Sequence, residues 1–128
     1  MILGIGTDIV DISRIKEKIT NREGFRQLVF SEGEIAYCER NKDPYQSYAA
    51  RFAAKEAFLK ALGTGLLITI DLHEIEVKNE DSGKPAIECS LSLSEKIKQA
   101  IGTADFNIHL SLSHTTETAV AFVIIESV

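Results

Sequence analysis

The hydrophobic pattern changes period several times along the chain, and each change predicts an element. Residues 2–12 interleave glycine with aliphatics and close on Thr7-Asp8-Ile9-Val10-Asp11-Ile12. This spacing predicts a strand to about Val10, with Asp8 pointing opposite to Thr7 and Ile9. Asp11 or Ser13 is placed to cap the short helix that follows. Asn21-Arg22-Glu23-Gly24 reads as a break, and Phe25 to Phe30 as a short helical turn. Ser31, followed three residues on by Glu34, is a capping-box pattern that starts a helix running to Glu39 or Arg40. After the loop Asn41-Lys42-Asp43-Pro44 comes the longest predicted helix, Tyr45 to Leu62, with Gly63 placed as its C-cap.

That helix is apolar nearly all round. Ala50, Ala54, Phe58 and Ala61 share one face, and Ala49, Phe52 and Ala53 another. Such helices are normally buried. Yet Arg51, Lys55, Glu56 and Lys60 lie within it, and a buried charge costs several kcal/mol unless it is paired or meets a ligand. Beyond Gly65 the period shortens to two. Leu72 to Lys78 and Pro85 to Leu91 read as strands joined by Glu80-Asp81-Ser82-Gly83, a hairpin. Ser92 or Ser94 begins a helix ending near Gly102. Two further strands, Phe106 to Ser113 and Thr118 to Glu126, flank a turn at His114-Thr115-Thr116-Glu117.

With 128 residues the expectation is one domain, residues 1–128, whose small size favours covering surface by oligomerisation. A net charge of −5 argues against a nucleic-acid binder, which needs a basic footprint. The charge is uneven, however: Arg14, Lys16, Lys18, Arg22 and Arg26 face only Glu17 and Glu23 in their stretch. A local basic run on an acidic protein is either a solvated helix face or a dock for an acidic partner. Cys38 and Cys89 have neither metal-ligand spacing nor a disulfide framework. The opening residues carry no basic region or long apolar run, and nothing reaches the roughly 20 apolar residues of a membrane span, so a cytoplasmic protein without membrane contact is expected.

Three places hold residues suited to chemistry. Asp8 near the end of an apolar strand is a capping residue or a site group. Glu56 and Lys60, four apart, lie on one helix face with Ala49 and Ala53, either as an intrahelical ion pair or as ligand-facing groups cleared by small neighbours. Two carboxylates, completed by water and phosphate oxygens, would suit Mg²⁺. His114, at a strand end beside Thr115 and Thr116, forms with the open turn amides a candidate phosphate-binding edge. A Ser–His hydrolase is the competing idea, but there is no G-x-S-x-G elbow, and P-loop and dinucleotide fingerprints are absent too.

Taken in order, Gly4-Ile5-Gly6-Thr7-Asp8-Ile9, Phe30-Ser31-x-x-Glu34-x-x-Tyr37-Cys38, Arg51-Phe52-Ala53-Ala54-Lys55-Glu56-Ala57, Lys60-Ala61-Leu62-Gly63-Thr64-Gly65, Gly83-Lys84-Pro85 and Ser111-Leu112-Ser113-His114-Thr115 resemble the holo-acyl-carrier-protein synthases, short bacterial 4′-phosphopantetheinyl transferases, end to end. The resemblance implies an α+β fold, a small antiparallel sheet packed on a long central helix with short helices, a homotrimer with sites between subunits, and Mg²⁺-dependent transfer of 4′-phosphopantetheine from coenzyme A to an acyl carrier protein in fatty acid biosynthesis. It further implies that Asp8 and Glu56 hold Mg²⁺ and that Lys60 contacts the phosphates and takes part in catalysis. Arg51, Gly63, Gly65, Lys84, Pro85, His114 and Thr115 would bind coenzyme A, and Arg14, Arg22 and Arg26 would dock the carrier protein. A non-catalytic binding module and a metal-dependent phosphohydrolase are the rival readings.

Overall fold

A computed structural model describes residues 1–63, 69–102 and 105–128. In chain order the elements are β1 (Ile2–Asp11), α1 (Ile12–Asn21), α2 (Phe25–Val29), α3 (Glu32–Glu39), α4 (Tyr45–Leu62), a 3₁₀ turn (Leu72–Glu74), β2 (Glu76–Asn79), β3 (Pro85–Glu88), α5 (Leu91–Ile101), β4 (Phe106–His114) and β5 (Thr118–Ser127). Strands β1, β5 and β4 form an antiparallel sheet in that order, and β2 and β3 pair as the expected hairpin. The α+β class and the small antiparallel sheet are therefore as the sequence implies.

The 18-residue helix α4 packs along one face of the sheet, with Ala53, Ala57, Phe58 and Ala61 against Ala121, Val123 and Ile125 of β5. Small residues on α4 let the backbones approach, and β1 carries the approach to its limit. Alternation puts Gly4, Gly6, Asp8 and Val10 on the face toward the helix. A Cβ on Gly4 would lie 1.8 Å from the Ala61 carbonyl oxygen, and one on Gly6 1.9 Å from that of Ala57. Only glycine fits there. The two glycines seat β1 directly on α4, and the next residue on that face is Asp8.

A second cluster, formed by Ile15 and Ile19 of α1, Val29, Phe30, Cys38, Tyr48 and Ala49, packs α1–α3 against the first half of α4. The Ser31–Glu34 capping box is formed as the pattern predicts, and Gly63 closes α4 in the left-handed conformation with its N–H on the Lys60 carbonyl. Three boundaries differ from expectation. Leu72–Glu74 winds as a 3₁₀ turn before the strand, drawn in by the Glu74 carboxylate accepting the Asp71 N–H at 2.8 Å. Helix α5 starts earlier than Ser92, because the Ser90 hydroxyl accepts the Leu93 N–H and caps it, which in turn ends β3 at Glu88. Asp11 occupies the N-cap position of α1 without a side-chain capping bond.

The apolar surface of α4 is covered within the chain. What stays open is the outer face of the sheet, where Ile5, Ile9 and Phe122 are 55%, 70% and 45% exposed. Burial of Cys38 pushes its thiol up to about 12, so it is protonated at neutral pH. Gly6→Ala should lower stability by about 1–3 kcal/mol, the usual range for overpacking a tight contact. Thermal unfolding followed by circular dichroism checks this, and an unchanged midpoint would contradict the close approach.

Candidate active site

Three of the four charged residues of α4, Arg51, Lys55 and Lys60, hydrogen-bond to three different side chains, and these separate scaffold from site. Lys55 is fully buried; its Nζ donates to Glu34 Oε1 at 2.7 Å and to the carbonyls of Leu72 and Ile75 at 2.8 and 2.6 Å. Glu34 also accepts the Val77 N–H at 2.9 Å through Oε2. Desolvation lowers the Lys55 pKa, opposed by Glu34. This ion pair is spent inside the fold and faces no ligand.

Glu56 and Lys60 lie on the helical stripe beside Ala57 and Ala61, where β1 sits closest. Lys60 Nζ donates to Asp8 Oδ1 at 3.0 Å and to the Thr7 carbonyl at 3.1 Å. The intrahelical Glu56–Lys60 ion pair is thus replaced by a bridge from helix to strand. Asp8 and Glu56 both line a cavity of about 400 Å³, together with Asp11, Arg14, Lys18 and Phe52. Burial raises the Glu56 pKa, the neighbouring Asp8 charge raises it further, and Lys60 and Lys18 partly offset both. Two carboxylates facing one cavity, with the Asp8 charge raising the cost of ionising Glu56, form a place where a cation is stabilising.

Among the described residues no group of three or more His, Cys, Asp or Glu is placed to hold a metal ion. A two-carboxylate set leaves most positions of a hard cation to water and phosphate oxygens, the manner in which Mg²⁺ is usually bound. The Lys60 ammonium on Asp8 marks where positive charge is accepted. The residues present fit such an ion.

Helix α1 directs Arg14 into this cavity, and Arg14 and Arg22 line an adjoining groove with Glu17 and Lys18. Arg22 and Arg26 line a third depression, beyond α1. Arg26 is partly engaged, 3.9 Å from Glu39 and 5.8 Å from the Tyr48 ring centroid. The basic stretch therefore runs from the carboxylates outward along one surface. Lys18, one helical turn after Arg14, belongs to it; sequence reasoning left it among the general charges, although the i, i+4 spacing from Arg14 was there to use.

Arg51 points elsewhere. It is 4% exposed, lies 4.2 Å over the Tyr37 ring centroid and donates to Asn79 Oδ1 at 2.9 Å. Its cavity, about 300 Å³, shares no lining residue with that of Asp8 and Glu56. Lys84 and Pro85 sit at the turn of the β2–β3 hairpin, Pro85 paired with Asn79. Arg51, Lys84 and Pro85 therefore form one group. His114 ends β4, one residue beyond the predicted strand, and Thr115 begins the β4–β5 turn, where its hydroxyl accepts the N–H groups of Glu117 and Thr118. That turn reaches the start of α1 through the Ile12 N–H, which donates to the Glu117 carbonyl at 2.9 Å. Gly63 is accounted for as a helix cap, and Gly65 lies outside the described residues.

A strand carboxylate and a helix carboxylate sharing a cavity with cations, beyond a Gly-x-Gly strand seated on an alanine helix, is a specific arrangement. Residues 4–123 match the profile of the 4′-phosphopantetheinyl transferase superfamily. The chain belongs to that superfamily. Within it, the chain is 50% identical over 124 residues to the holo-[acyl-carrier-protein] synthase of Cytophaga hutchinsonii, covering 97% of each chain. It is 48% identical over 126 residues to that of Clostridium tetani, covering 98% of this chain and 97% of the relative. The crystal structure of a holo-(acyl-carrier-protein) synthase from Bacillus anthracis in complex with CoA (3′,5′-ADP) is similar with a TM-score of 0.81 and 36% identity, over 100% of this chain and 99% of that one.

The two lysines of α4 should separate cleanly. Lys55→Met strands Glu34 as an unpaired buried charge and should cost about 3–5 kcal/mol. Lys60→Gln removes a bridge at the surface and should cost under about 1 kcal/mol. Urea denaturation measures both; similar losses would mean that Lys60, too, is scaffold.

Proposed function

We propose that this chain is a single phosphopantetheinyl transferase domain over residues 1–128 that moves 4′-phosphopantetheine from coenzyme A to a serine of an apo acyl carrier protein, releasing 3′,5′-ADP, in support of fatty acid biosynthesis. The observation that carries this reading is the Asp8–Glu56 pair in one cavity with Arg14, with Lys60 bound to Asp8. The holo-[acyl-carrier-protein] synthases that match nearly the whole chain support the same reading. We place the protein in the cytoplasm, without nucleic-acid or membrane partners; among the described residues no helix is long and apolar enough to cross a membrane.

Asp8 and Glu56 are the residues that would hold Mg²⁺. When bound, Mg²⁺ supplies charge neutralisation to the pyrophosphate, the main electrostatic need of phosphoryl transfer. The serine oxygen forms its bond to the phosphorus bearing the pantetheine arm, and the bond from that phosphorus to the 3′,5′-ADP oxygen breaks. The serine proton passes to a carboxylate of the pair. Lys60, attached by an exposed contact to Asp8, is free to turn toward the departing phosphate and offset its charge. Arg51, Lys84 and Pro85 hold the nucleotide from one side and His114 and Thr115 from another, with Gly63 and Gly65 as further coenzyme A contacts. Arg14, Arg22 and Arg26 receive the acidic carrier protein and deliver its serine to the carboxylates.

The separation of Arg51 from Asp8 within one chain supports a site completed by a second copy. The open sheet face supports a homotrimer. Its exposed Ile5, Ile9 and Phe122 are a more specific reason for assembly than the apolar helix, which the chain covers itself.

Incubation with coenzyme A, Mg²⁺ and apo carrier protein should add the phosphopantetheine mass to the carrier. Asp8→Ala and Glu56→Ala should each abolish the addition in folded protein. Arg14→Glu should raise the carrier KM and leave the coenzyme A KM unchanged, and salt should weaken carrier binding in the same direction. Nucleotide release without carrier would indicate a phosphohydrolase instead, and binding without turnover a non-catalytic module.

Assembly is read separately. Light scattering should give a trimer, and Ile9→Glu should shift it to smaller species with loss of transfer. A fully active monomer would remove the shared-site reading.

A further inference from the structure

Arg51 poses a problem that the proposed transfer reaction alone does not answer. Its guanidinium is buried, yet among the described residues no carboxylate lies within salt-bridge distance of it. One terminal nitrogen donates to the Asn79 side-chain oxygen, the cation lies over Tyr37, and Nε has no acceptor. A buried cation held by a neutral amide and an aromatic ring keeps its charge uncompensated. A carboxylate at position 79 would have neutralised it. The amide holds the guanidinium in place and leaves it in need of an anion.

Asn79 uses its other end as well. Its amide nitrogen donates to the Gly83 carbonyl at 3.0 Å, in the turn just before Lys84 and Pro85. That turn is closed by Gly83 N–H on the Glu80 carbonyl and Glu80 N–H on the Lys84 carbonyl. One side chain therefore ties Arg51 of α4 to the hairpin turn. Its own position follows from strand alternation: Val77 faces the core and Asn79, two residues on, faces the same way. The strand is held in turn by Glu34 on the Val77 N–H and by Lys55 on the Ile75 carbonyl.

We propose that Asn79 is a positioning residue for coenzyme A: its amide presets the un-neutralised Arg51 guanidinium and the Gly83-Lys84-Pro85 turn relative to each other, and so sets affinity for the phosphorylated nucleotide without touching the reacting atoms. The inference rests on the nucleotide role given to Arg51 above. It goes further in assigning Asn79 and in requiring an amide rather than an acid there.

The test compares wild type, Asn79→Ala, Asn79→Asp, Arg51→Gln and the Arg51→Gln/Asn79→Ala double variant in steady-state transfer, with calorimetric titration of coenzyme A alone. Asn79 is exposed, so its variants should remain folded. Losing the single hydrogen bond to Arg51 should raise the coenzyme A KM and Kd by roughly three- to tenfold in Asn79→Ala. The carrier KM and kcat should stay as in wild type. Asn79→Asp should bind coenzyme A no better than Asn79→Ala, because its carboxylate competes with the ligand phosphate for Arg51. In the double variant Asn79→Ala should add nothing to the effect of Arg51→Gln. Additive effects, a wild-type affinity in Asn79→Asp, or an equal rise in the carrier KM would overturn the proposal. The calorimetric comparison decides it even if no transfer occurs, so failure of the proposed activity and failure of the positioning role are read separately.

Discussion

The direct seating of β1 on α4 is the contact on which the rest of the site depends. Two glycines bring the strand to where any Cβ would meet a helix carbonyl, and alanines at positions 57 and 61 clear the helix side. The benefit is reach. A carboxylate on so short a side chain as Asp8 meets the Lys60 ammonium and the field of Glu56 only because the two backbones are this close. A bulkier seam would still fold a sheet onto a helix, but the carboxylates would no longer share one cavity. Close packing is here a requirement of the chemistry as well as of stability.

The second constraint is the buried Glu34–Lys55 pair. Ion pairs of this kind contribute little net stability, because desolvation offsets most of their attraction. What this pair provides is definition. Lys55 takes two carbonyls beside the 3₁₀ turn, Glu34 takes the Val77 N–H, and Ser31, capped against Glu34, donates to Glu76 at 2.6 Å. Helices α3 and α4 and strand β2 are thereby joined by a polar network in which each member has partners. Since α4 carries Glu56 and β2 carries Asn79, the network relates the carboxylate cavity to the Arg51 cavity across the body of the protein.

Much of this was legible in the residues, for identifiable reasons. Local chemistry was reliable: the Ser31–Glu34 box, the Gly63 cap and the hairpin each depend on a few neighbouring residues and appear as expected. Asp8 and Glu56 were singled out because a carboxylate in an apolar element needs an explanation, and they do share a cavity. Long-range partners were not legible. Lys55 and Lys60 have the same residue type on the same helix, and nothing local shows that one meets Glu34 and the other Asp8. Asn79, between the predicted strand and its turn, drew no reading, because its role depends on Arg51, 28 positions away. The burial of the all-round apolar α4 was legible, but the exposure of Ile5, Ile9 and Phe122 on the outer face of the sheet was not; alternation alone cannot say which face a second layer covers.

On the proposed function, the glycine seam is what builds the cation site. Paramagnetic resonance of Mn²⁺, a probe for Mg²⁺ sites, reads this directly when titrated into wild type and Gly6→Ala in the presence of coenzyme A, at a temperature where both are folded. Wild type should bind the ion, and Gly6→Ala should bind it several-fold more weakly, although no ligand atom has been removed. A folded Gly6→Ala protein with wild-type Mn²⁺ affinity would contradict it.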